Sequence, residues 1–92
     1  MVKIQLTDAL SRKICSYIRA GGFPNVAAEA AGVPNHLFER WMKRGRRARS
    51  TQPYRNFYHA VMQAQAHSRL TAEMHAFKEE PLTWLKAGPG RD

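Results

Sequence analysis

Residues 24–45, PNVAAEAAGVPNHLFERWMKRG, constrain the chain more than any other stretch. VAAEAAG is too rich in alanine to prefer a strand, and its small side chains let a neighbouring helix come close before Gly32 stops it. Gly32-Val33-Pro34-Asn35 then forms a tight corner, because glycine tolerates positive φ and proline fixes the entry angle of the next element. That element is amphipathic, and a third helix is expected to run to about Arg44. At ~100° per residue Leu37, Phe38, Trp41 and Met42 share one arc, while His36, Glu39, Arg40 and Lys43 share the opposite one. A chain with this unit at its centre must build around a helical hairpin that has one packing face and one free face.

The flanking sequence extends the same logic. Leu10, Ile14, Tyr17 and Ile18 repeat at helical spacing, with Thr7 or Asp8 as caps and Gly21-Gly22 as the stop, so a first helix precedes the hairpin. Gly45 is expected to close the third helix, and RRARSTQP reads as a basic linker that ends where Pro53 starts a long helix. In that helix Tyr54, Phe57, Tyr58, Val61 and Ser68 lie on one face, but Leu70, Met74 and Phe77 fall nearly opposite at ~100° per residue. Either the helix breaks near His67–Arg69, or its second half packs on something else, such as another subunit. Glu79-Glu80-Pro81 opens a short last helix anchored by Trp84 and Leu85 and ended by Gly88-Pro89-Gly90. There is no alternating strand pattern and no repeat. The expected fold is all-α: a three-helix unit over residues 1–50, then a helical extension for oligomerisation or partner binding over 51–92, together forming one compact domain.

Charge divides unevenly along this scaffold. The net charge is +8, and residues 40–72 hold eight basic side chains and no acidic one, so the whole excess sits in that segment. A basic block without internal counter-charge is an electrostatic footprint for a polyanion, and nucleic acid leads the candidates.

Two short helices joined by a glycine corner, the second with a polar outer face, match the plan of a helix-turn-helix. In that plan the first helix braces the second so that its outer residues enter a DNA major groove, and a bulky side chain in place of the alanines would push the second helix away. Arg40 and Lys43 carry donors suited to guanine O6 and N7, and Asn35 is able to bond adenine bidentately. Arg40→Ala is therefore expected to change which sequence is preferred. Glu39 suits a cytosine amino group or an i,i+4 pair with Lys43, and His36 is either a helix-start residue or a contact. Arg44, Arg46, Arg47 and Arg49 suit phosphate oxygens through forked, charge-assisted bonds, and Arg55 extends the same patch. Such residues position the nucleic acid and carry no sequence information.

Other chemistries find less support. His59, His67 and His75 are eight residues apart. That spacing turns successive rings by ~80° on a helix, so no metal site is expected. No nucleotide-binding glycine loop, carboxylate pair or activated nucleophile stands out, so no cofactor and no enzyme activity are expected. Trp41, beside Phe38 on the inner arc, is a core residue before it is a base-stacking platform. A single cysteine, Cys15, cannot form an intrachain disulfide, and MVKIQLTDALSRK carries charges where a signal peptide needs its apolar stretch. A cytoplasmic protein without a membrane segment is expected.

VAAEAAGVP with Phe38, Trp41-Met42 and Gly45, then Pro53-Tyr54 with Phe57 and Ala60, resembles the N-terminal helix-turn-helix of phage and prophage small terminase subunits and related homeodomain-like phage proteins. The likeness covers about residues 7–65, and the closing TWLKAGPGRD is similar to segments at the end of such proteins. It implies a cytoplasmic, non-catalytic subunit that recognises double-stranded DNA, forms a homo-oligomer, and hands viral DNA to a separate large terminase ATPase. By position, the resemblance assigns Asn35, His36, Glu39 and Arg40 to the reading helix and the Leu70–Phe77 face to assembly. A phage transcription or recombination regulator, a helical adaptor that binds no DNA, and an RNA binder using the arginine run are the alternatives.

Overall fold

The computed structural model describes residues 4–79, which form four helices and no strand: α1 (Asp8–Arg19), α2 (Pro24–Ala30), α3 (Asn35–Arg46) and α4 (Tyr54–Glu79). The expected last helix with Trp84 and Leu85, and the TWLKAGPGRD segment, lie outside the described residues, as does the side chain of Phe77.

The first two helices start and stop where local chemistry dictates. Thr7 Oγ1 accepts from the Leu10 amide at 3.1 Å, which satisfies one of the donors that a helix start leaves open. Asp8 in the first turn complements the positive end of α1 and pairs with Arg12 one turn on, at 3.1 Å and in full exposure. Both helices end on the same device. Gly21 and Gly32 take φ of +113° and +92°, and the residue after each donates back across the helix end: Gly22 N–H to Tyr17 O at 3.1 Å, and Val33 N–H to Ala28 O at 2.8 Å. This is the Schellman closure, for which glycine is the residue without steric penalty. In the second case it also carries Val33 into the core, fixing the corner between α2 and α3.

The core draws on every helix. Ile14, Cys15 and Ile18 of α1, Ala27 and Ala28 of α2, Phe38 and Trp41 of α3, and Phe57, Val61 and Ala64 of α4 are all buried. Phe57 is the hub: Phe38 and Trp41 each meet its ring edge to face, both with centroids 5.9 Å apart. Because α4 packs on both α1 and α3, its first half belongs to the same core as residues 8–46, and the packing continues across the 50/51 point without a seam.

One expectation needs correction, and one of two alternatives falls away. The third helix does not stop at Gly45 but continues to Arg46, and Gly45 is buried inside it. A Cβ at this position would lie 2.6 Å from the Cβ of Tyr58 and closer still to the Tyr54 carbonyl oxygen. Glycine is required here because the backbones of α3 and α4 nearly touch, not because the chain must turn. The long helix does not break near His67–Arg69 either, and is continuous from Tyr54 to Glu79. Its second half leaves Leu70 and Met74 in solvent, 54% and 62% exposed. None of the helices among the described residues is long and apolar enough to cross a membrane.

Candidate nucleic-acid interface

The candidate surface is the side of α3 turned away from Phe57. Phe38, Trp41 and Gly45 define the inner line of this helix, and nothing in the described chain covers the opposite side. His36, Glu39, Arg40 and Lys43 are placed there, and all four are exposed. At ~100° per residue His36 and Lys43 form the crest, with Arg40 on one flank and Glu39 on the other. Glu39 and Lys43 are one turn apart but make no ion pair, so both head groups face solvent.

Asn35 stands differently. Its Oδ1 is enclosed by protein without a hydrogen-bond partner. Turning the amide over would enclose Nδ2 instead, so one polar end faces inward in either case. A bidentate bond to adenine requires a different side-chain rotamer from the one observed. The start of α3 is otherwise open: Pro34 is the capping residue, there is no side-chain cap, and the first turn carries no acidic group.

The basic block collects at the far end of α3 and the near end of α4. Lys43, Arg44 and Arg46 occupy the last turn of α3, where cations also complement the negative end of the helix. Arg47 and Arg49 come next on the connector, both exposed. Two other arginines are held in place. The Arg44 guanidinium lies over the ring of Tyr54, 4.2 Å from its centroid, and Arg55 donates from Nε to the Ser50 hydroxyl at 3.1 Å. Stacking occupies the face of the guanidinium and leaves the N–H donors in its plane free. The side chains of Arg40, Lys43, Arg46, Arg47 and Arg49 make no hydrogen bond or ion pair with any described residue. The structure thus brings the sequence-predicted basic residues together around the junction of α3 and α4.

Helical periodicity gives no place to the extended segment before α1. Ile4 and Leu6 pack against the core while Gln5 between them stays exposed, and all three line a groove shared with Arg40 and Arg44. The period-two alternation of Ile4, Gln5 and Leu6 is the one signal of this in the sequence.

Cys15 is buried in α1, and burial raises its thiol above the ordinary range although the Arg19 charge and a hydrogen bond with Ser11 pull the other way. It is a packing residue, remote in character from an activated nucleophile.

Compared with protein-family models, curated proteins and solved structures, the chain matches none. The functional reading therefore rests on the residues and their arrangement.

Proposed function

We propose that this protein binds double-stranded DNA as a helix-turn-helix, with α2 as the brace and α3 as the helix that enters the major groove. The observation that carries this reading is the uncovered polar side of α3, set against a cluster of arginines with no acidic residue anywhere between positions 40 and 72. Ala27 and Ala28 support it, being buried in the core where α2 backs α3. His36, Glu39 and Lys43 then meet base edges, and Arg46, Arg47, Arg49 and Arg55 meet phosphates. With the resemblance to small terminase subunits, we propose a phage DNA-recognition subunit that works as a cytoplasmic homo-oligomer beside a large packaging ATPase. A phage regulator using the same unit is the alternative.

The test is a fluorescence-anisotropy titration of duplex DNA at two salt concentrations. Binding is expected to weaken steeply with salt, with a slope of about −0.9 per phosphate contact. Replacing Arg46, Arg47 and Arg49 together by Ala should lower affinity equally on all sequences and flatten that slope. A salt-insensitive complex, or none at low salt, removes the proposal. In the latter case the exposed Leu70 and Met74 favour a helical adaptor that binds protein. Tighter binding to structured RNA than to duplex DNA would point to the arginine run alone, since an A-form major groove excludes a helix.

A further inference from the structure

The two flanks of α3 are chemically unlike. On one, Glu39 shares a groove with Met42, Met62, Lys43 and Arg46. On the other, Arg40 and Arg44 stand one turn apart along a groove of 410 Å³ that Gln5 also lines and to which no acidic residue contributes. Leu37 and Trp41 of α3 and Pro53 and Tyr54 at the start of α4 also line this second groove, adding apolar surface beside the two arginines.

A DNA strand presents a repeating pair of surfaces, an anionic phosphate and a largely apolar sugar. A carboxylate repels the first, so the Glu39 flank is the poorer seat for a backbone. The Arg40 flank matches both surfaces. Two arginines line it, and the Arg44 guanidinium already rests over Tyr54, 4.2 Å from the ring centroid, so less side-chain freedom remains to be lost when it binds. The Gln5 amide adds a neutral donor to the same groove, on a segment held by Ile4 and Leu6.

Resting on the proposed duplex binding, we infer that this groove seats the sugar-phosphate backbone of one strand, with Gln5, Arg40 and Arg44 as its polar contacts. Arg40 is then a positioning contact to phosphate and does not read bases, in contrast to the expectation drawn from its place on the outer arc. Base reading falls to the crest and the acidic flank, that is to His36, Lys43 and Glu39.

The experiment selects bound duplexes from a random-sequence pool with the wild-type protein and with Arg40→Ala, and measures affinity and salt slope on the selected sites. Arg40→Ala is expected to keep the same ranking of sequences, to lose about 5–10-fold in affinity on each, and to reduce the magnitude of the salt slope by about 0.9. Gln5→Ala should weaken binding about 2–3-fold, and Gln5→Lys should strengthen it at low salt by adding a charge beside phosphate. A changed sequence ranking in Arg40→Ala overturns the inference while leaving duplex binding intact. So does an unchanged affinity in both Arg40→Ala and Gln5→Ala. Absence of duplex binding by the wild type at low salt overturns the underlying function, and this assignment with it.

Discussion

Between Tyr54 and Ala64, α4 places Phe57, Val61 and Ala64 in the core at 1% exposure or less; beyond Gln65 the same helix holds Leu70 and Met74 more than half in solvent. The backbone is continuous, so the difference lies only in what the side chains meet. In the first half, tertiary packing holds the helix. In the second, Ala66, Leu70, Ala72, Glu73, Met74 and Ala76 are good helix formers added to a nucleus that already exists, and elongation from a formed turn is far easier than starting one. One element can thus be a structural beam at one end and a merely propagated helix at the other, with no break to mark the change.

The largest effect that would sharpen the contrast belongs to the hub. Phe57→Ala removes the ring that Phe38 and Trp41 both meet, and should lower stability by about 3–5 kcal/mol in a urea titration, with Trp41→Ala close behind. Next comes Gly45→Ala. A methyl group pressed against the Tyr54 backbone has little room to relax, and a loss of about 3 kcal/mol in a thermal melt is expected. A Gly45→Ala protein as stable as its parent would contradict the close approach of α3 and α4.

Hydrogen exchange tests the two halves directly. Amides of residues 66–76 should open about a hundredfold more readily than those of 57–64, because few buried contacts oppose local unfolding there. Equal protection along α4 would break the comparison. The smallest expected effect is that of Leu70→Ala combined with Met74→Ala, which should change monomer stability by no more than about 0.5 kcal/mol. A loss of about 2 kcal/mol or more that grows with protein concentration would mean that this face is covered by a second molecule in solution.

Much of this architecture is legible in the residues, and the exceptions share a cause. Gly21 and Gly32 announce their role locally, since a helix that ends on a positive-φ glycine is decided by its own neighbours. Gly45 carries the same letter for another reason, and no local pattern separates a stop from a notch against a distant helix. The opposed apolar faces of α4 leave a break and packing on something else, such as another subunit, as equal alternatives, because periodicity reports which residues align but not what lies opposite them. On α3, the division into inner and outer arcs is readable from spacing alone. The inward Oδ1 of Asn35, the Tyr54 shelf under Arg44 and the seat of Gln5 beside Arg40 are not, because each depends on residues brought near only by the fold.

The missing side chain at Gly45 sets more than a distance. With the Tyr54 carbonyl lodged against it, any side chain at this position would wedge α3 away from α4 and change the angle at which the two helices meet. The bearing of the distal rod relative to the outer face of α3 is thereby fixed by one hydrogen atom. Anything that grips the far end of that rod inherits the orientation of the near end.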